Sequence, residues 1–197
     1  MKCSQALKII QEAGWYIVTQ RGSHLKLKHE QLPGILIFPN HGSKELGIGL
    51  QKKNLNRLAS NSKHMRSNKK KIVVIVEKTK TGYSAYAEDA AVFSTGKNIE
   101  SLHRNLLEAF RLAYEETGVT LSSEDLCLRI DLKQFFRYYK VLNAKFLAKR
   151  IGMNPTLLSQ YVRGKKQPSS KQLDKILQGI QGIGRELAAL QLVKNAF

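Results

Sequence analysis

Residues 60 to 71 read Ser-Asn-Ser-Lys-His-Met-Arg-Ser-Asn-Lys-Lys-Lys, a run with almost nothing to bury. No core element can pass through such a stretch, so it reads as a linker, and the hydrophobic blocks on either side must each find their own packing. The chain's 197 residues allow one or two ordinary domains. Met65, inside the run, would also serve as a second start. A natural fusion, an engineered join and two separate chains all fit the sequence at this boundary.

Charge divides along the same line. Residues 1–64 hold ten Lys and Arg against three Asp and Glu, residues 65–131 ten of each, and residues 132–197 thirteen against two. The formal charge of +18 is therefore concentrated in two basic ends around a neutral middle. Basic surfaces meet phosphate backbones because released counterions drive the association. Solubility alone is the plainer explanation, but it does not call for such an excess in the last segment. Two separate nucleic-acid contacts are expected. The longest aliphatic run, Ile72–Val76, is far too short to span a bilayer, and no signal-peptide core opens the chain. Cys3 and Cys127 match no metal or redox spacing and read as core residues in a reducing cytoplasm.

Periodicity outlines three modules of an α+β protein. Cys3, Ala6, Leu7 and Ile10 form a helical stripe, with Ser4 as the expected N-cap and Gly14 as the stop. Strands follow at Trp15–Thr19, His24–His29 and Ile35–Phe38, then a helix holding Leu55 and Leu58, in the order α-β-β-β-α. The neutral module starts with Ile72–Val76, turns at Thr81-Gly82 into Tyr83–Ala87, and adds a strand near Ala91–Ser94. A helix from about Ile99 to Glu116 and a strand over Asp125–Ile130 complete a β-β-β-α-β unit with no nucleophile, metal cluster or phosphate loop of its own. The last module is helical. Leu147-Ala148, Ile151-Gly152 and Leu158-Ser159 have helix-turn-helix spacing, with Gly152 at the sharp turn and Ser169 capping a final helix that runs toward Leu192.

Alternation within His24–His29 is the sharpest chemical signal. Leu25 and Leu27 point one way, which places His24, Lys26 and Lys28 together on the opposite, exposed face. Such a trio suits RNA cleavage without a metal: the imidazole accepts a ribose 2′-hydroxyl proton and the lysines stabilise the phosphorane. Nearby cations would hold the imidazole neutral. Spacing alone favours an ordinary surface histidine. His29 and His41 are candidates for a second acid that no spacing singles out, and His24 and His29 face opposite sides of the strand, which argues against a shared metal. His64 in the linker and His103 on a helix's polar face receive no role. In the last module, Pro155–Val162 is the expected recognition helix, with Leu158 and Tyr161 inward and Asn154, Thr156, Ser159, Gln160 and Arg163 outward. Gln160 suits an adenine edge, and Lys165 and Lys166 suit phosphates. Three helices packed without any DNA are the alternative.

These residues also carry resemblances. Gly14-Trp15, Arg21-Gly22-Ser23-His24 and Pro39-Asn40-His41-Gly42 make residues 1–59 similar to HicA toxins, ribonucleases with a double-stranded-RNA-binding-domain-like fold. The resemblance implies that His24 is catalytic, and Arg21, Ser23, Lys26 and Lys28 around it are the expected RNA-binding residues. Residues 60–71 then form the linker or chain junction. Gly82–Ala87 and the helix start at Gly96–Glu100 make residues 72–131 resemble HicB antitoxins, whose partial RNase H-like fold lacks nuclease activity. Residues 143–169, within the module 132–197, look like a Cro/C1-type helix-turn-helix. The order implies an mRNA-cleaving toxin without metal or cofactor, covered by a neutral antitoxin module whose dimeric DNA-binding end represses its own operon. Continuity departs from the pattern, because toxin and antitoxin are usually separate polypeptides. A non-enzymatic RNA- and DNA-binding regulator, and a repressor with a decayed first segment, remain as alternatives.

Overall fold

The first helix, α1 (Cys3–Glu12), buries Cys3, Ala6 and Ile10 along one face. Its leading N–H groups are not capped by Ser4. Cys3 N donates to Lys44 O at 2.8 Å and Ser4 N to Gly42 O at 3.0 Å, so a distant loop satisfies the helix start and the helix begins one residue before Ser4. This computed structural model describes residues 1–47, 49 and 71–190. The expected helix with Leu55 and Leu58, His64, most of the linker and Leu192 lie outside the described residues.

Gly14, at φ +93°, turns the chain into β1 (Trp15–Arg21). β2 (His24–His29) and β3 (Leu36–Pro39) follow, and the three strands form an antiparallel sheet in the order β1-β2-β3. From Ile72 onward, β4 (Ile72–Thr79), β5 (Gly82–Ala87) and β6 (Phe93–Gly96) form a meander. The helix α2 (Ile99–Tyr114) then returns the chain to β7 (Leu126–Ile130), which pairs parallel to β4 and gives the order β6-β5-β4-β7. A 3₁₀ turn, Glu115–Thr117, extends α2 and stops at Gly118, φ +68°. β6 lies later than the expected Ala91–Ser94. Ala91 O instead accepts from Ile37 N at 2.8 Å, and Val92 O from Ala87 N at 2.9 Å. Ala91 and Val92 therefore tie the second sheet to β3, where Ile37 and Val92 form a parallel bridge.

Two compact units result, residues 1–134 and 135–197. Within the first, neither core belongs to one sequence segment. The cluster of Trp15, Leu25, Leu27, Leu36 and Phe38 under α1 takes in Tyr86, Ala91 and Phe93. The cluster beneath α2, with Leu102, Leu106 and Phe110, takes in Ile37 from β3. Residues before 47 and after 71 thus share their buried surface.

The helix α3 (Leu132–Tyr138) crosses the boundary between the units. The second unit continues with α4 (Ala144–Arg150), α5 (Pro155–Val162) and α6 (Ser170–Ala188). Asn143, Asn154 and Ser169 cap these three helices with side-chain oxygens, each accepting backbone N–H bonds from the first turn. Gly152 sits at φ +59° between α4 and α5, as the sharp turn requires. Phe136, Leu147, Ala148, Leu158, Tyr161 and Ile176 are the buried residues of this unit among the described residues. No helix among the described residues is long and apolar enough to cross a membrane.

Candidate functional site

The turn between β1 and β2, Arg21-Gly22-Ser23-His24, is gripped by α2. Glu108, facing the turn from that helix, accepts the Ser23 backbone N–H at 2.9 Å and lies 3.3 Å from His24 Nδ1. Ser23 Oγ is also 3.3 Å from His24 Nδ1, and Ser94 Oγ on β6 is 3.0 Å from Nε2. Both ring nitrogens are thereby engaged, and His24 is completely buried.

The alternation along β2 is as expected, but the face it defines is not exposed. His24 and Lys26 are 0% and 3% accessible because α2 and β6 pack over them, while Leu25 and Leu27 fill the core beneath α1. Lys26 Nζ reaches Glu116 Oε1 at 2.6 Å, with Lys28 Nζ at 3.9 Å from the same oxygen, and Arg21 pairs with Glu115. The Lys26 hydrogen bond, reinforced by the charges of Lys26 and Lys28, holds the Glu116 carboxyl below its ordinary range. All five residues expected to cut or bind RNA are brought together, each within hydrogen-bond or ion-pair distance of a glutamate on α2 or on the 3₁₀ turn that extends it.

Burial, rather than the neighbouring lysines, lowers the pKa of His24, with Glu108 opposing the shift. His41, two residues beyond β3, stands beside it: the ring centroids are 6.0 Å apart, tilted by 56°. Its Nδ1 hydrogen-bonds Thr95 Oγ1, next to Ser94 on β6. Burial, Lys44 and His24 lower its pKa to about 4. His29 lies elsewhere, its Nε2 3.1 Å from Ala13 O and its ring edge-on to Trp15. No group of three His, Cys, Asp or Glu among the described residues could hold a metal.

Sequence reasoning missed Glu108, Glu115, Glu116, Ser94 and Thr95, and left His41 undistinguished. One signal was present. Glu108 and Glu115 are seven residues apart, two helical turns, and so lie on one stripe of α2 and its extension.

In the second unit, Thr156 and Arg163 of the expected DNA-reading set are exposed, as are Lys165 and Lys166, while Ser159 and Gln160 are half-buried. Asn154 is exposed too, but its Oδ1 caps α5, accepting from Thr156 N at 2.8 Å and Leu157 N at 3.3 Å. Gln160 O accepts the N–H of Lys165 at 2.8 Å, which folds the lysine loop back against the end of α5. Tyr161 OH donates to Gln172 Oε1 at 2.8 Å and ties α5 to α6.

Residues 3–58 match the family model described as HicA toxin of bacterial toxin-antitoxin, and residues 142–182 match the model described as helix-turn-helix. No curated protein and no solved structure matches the chain. The gripped turn lies in the first matched region and the Asn154-capped helix in the second. The chain thus combines a HicA toxin domain over residues 3–58 with a Cro/C1-type helix-turn-helix domain over residues 142–182.

Proposed function

We propose that residues 1–59 are a metal-independent mRNA endoribonuclease held inactive by residues 72–131, which act as a HicB-like antitoxin, and that residues 132–197 repress the operon by binding its operator as a dimer. The observation that carries this reading is the complete burial of His24 with both ring nitrogens bonded. A general base must reach the proton it abstracts, and here Ser94 and Glu108 occupy that space. The carboxylates of Glu115 and Glu116 take the positions beside Arg21, Lys26 and Lys28 that RNA phosphates would fill.

Once uncovered, neutral His24 accepts the 2′-hydroxyl proton while Lys26 and Lys28 stabilise the charge that builds on phosphorus. Arg21 and Ser23 hold the strand. The α-β-β-β order supports a double-stranded-RNA-binding-like domain, and the β-β-β-α-β unit a partial RNase H-like one. In the helix-turn-helix, Gln160 and Thr156 read bases, Arg163, Lys165 and Lys166 hold phosphates, and Asn154 sets the start of the helix. Two copies related by a two-fold axis would match half-sites about one DNA turn apart.

Expression in cells tests the reading. The full chain carrying Glu108→Lys, Glu115→Lys and Glu116→Lys should arrest growth and fragment mRNA, and adding His24→Ala should abolish both effects. Growth arrest that persists without His24, or RNA binding without cleavage, favours the non-enzymatic regulator instead.

A further inference from the structure

The same strand that closes His24 also closes His41. Ser94 and Thr95 are consecutive on β6, and their hydroxyls engage His24 Nε2 and His41 Nδ1 respectively. The backbone holds the two imidazoles in register. His24 pairs with Pro39 across β2 and β3, and Asn40 N donates to Ser23 O at 2.8 Å, so the chain leads directly from the Ser23-His24 turn to His41. Beyond His41, Lys44 N donates to His41 O at 3.1 Å, while Gly42 O and Lys44 O accept from the start of α1. The loop is thus tied to two rigid elements, which suits a side chain that must be positioned before reaction.

We propose that His41 is the general acid of this site, protonating the departing 5′-oxygen of the scissile phosphodiester as His24 takes the proton of the 2′-hydroxyl. The inference rests on the ribonuclease reading above. The 2′-oxygen forms a bond to phosphorus, the bond from phosphorus to the 5′-oxygen breaks, and the products are a 2′,3′-cyclic phosphate and a 5′-hydroxyl. One proton enters at His24 and one leaves from His41; exchange with water resets both. Imidazoles with centroids 6.0 Å apart can flank one phosphorane, each within hydrogen-bond reach of an opposite apical oxygen. The groups facing His41 agree with the role. Thr95, His24, Lys44 and Glu108 surround it in the covered state, and replacing β6 by an RNA phosphate exchanges a neutral hydroxyl for an anion that favours the imidazolium.

The test uses the full chain opened by Glu108→Lys, Glu115→Lys and Glu116→Lys, with two substrates. One is an oligoribonucleotide. The other is uridine 3′-(4-nitrophenyl phosphate), whose leaving group departs without a proton. In the opened chain His41→Ala should slow oligoribonucleotide cleavage about 10²–10⁴-fold and leave nitrophenolate release within a few-fold. His24→Ala should abolish both. The pH profile of the opened chain should be bell-shaped, and His41→Ala should remove its alkaline limb. His41→Gln, which retains a polar group toward Thr95, should match His41→Ala in kinetics while melting like the parent. RNA cleavage at the parental rate in both His41 variants, or equal loss on both substrates, overturns the acid assignment. Failure of the opened parent to cleave either substrate while it still binds RNA overturns the ribonuclease reading, and the acid assignment with it.

Discussion

Ser23 donates its backbone N–H to the Glu108 carboxylate at 2.9 Å, joining residues 85 positions apart. The bond forms because Gly22 holds φ +49°, which turns the Ser23 N–H toward α2. A Cβ at Gly22 would lie 2.1 Å from Glu108 Oε1. The turn that carries the candidate catalytic histidine is therefore shaped to accept this carboxylate.

Gly22→Ala should consequently destabilise the first unit. The left-handed backbone alone costs about 1–2 kcal/mol for a residue with a Cβ. Glu108 must also swing away, giving up its bonds to Ser23 and His24. Urea unfolding followed by tryptophan fluorescence reports this directly, since Trp15 is the only tryptophan and lies buried in the α1 core. A midpoint equal to the parent's would contradict the described grip.

Acid should loosen the same unit. His24 and His41 both have folded pKa values below the ordinary 6.5, so the unfolded chain binds more protons than the folded one as pH falls below that value. The His41 contribution is full above about pH 6.5 and is lost toward about pH 4, and that of His24 is lost in the same direction, at most about 1.4 kcal/mol per pH unit for each group and less for half-buried His41. Glu77 acts in the opposite sense. Burial, with Asp131 nearby, raises its pKa to about 7 despite the Gly49 N–H bond, so its contribution is lost as pH rises from about 4.5 to 7. The melting temperature should fall from pH 7 to pH 5. Glu77→Gln should steepen that fall, and His24→Ala with His41→Gln should reverse its sign. A melting temperature that rises on acidification in the unaltered chain contradicts the burial of the two histidines.

How much of this was legible in the sequence depended on how local the cause is. Pro155–Val162 is read correctly because Asn154, Pro155 and the inward pair Leu158 and Tyr161 all act within a few residues. The strand His24–His29 is read correctly for the same reason, since alternation is a property of the strand itself. What alternation cannot reveal is the layer above the strand. Lys26 reads as exposed because lysine usually is, whereas Glu116, 90 positions away, makes its burial tolerable. His41 has no distinguishing spacing because its nearness to His24 is made by the pairing of β2 with β3. Ser4 fails as a cap for a similar reason, as loop carbonyls reach the helix start first.

The helix-turn-helix unit should show two separable kinds of DNA contact. Lys165→Ala and Lys166→Ala should each weaken binding to all sequences and reduce the slope of log affinity against log salt by about 1. Gln160→Ala should instead cost about 1–3 kcal/mol on the preferred operator and relax preference at one base pair. Fluorescence anisotropy against DNA from upstream of the coding sequence, over a range of salt, distinguishes them. An unchanged salt slope in both lysine variants would remove that loop from the interface.

The proposed ribonuclease site is held shut where α2 and β6 cover it, fastened by the carboxylates of Glu108, Glu115 and Glu116. The most direct measurement is cleavage of a defined mRNA in EDTA by the purified chain, by the chain carrying all three Glu→Lys changes, and by the latter with His24→Ala. The first should show negligible cleavage, the second strong cleavage and the third none. Equal activity in the first two, or cleavage by the second that survives loss of His24, would contradict this reading.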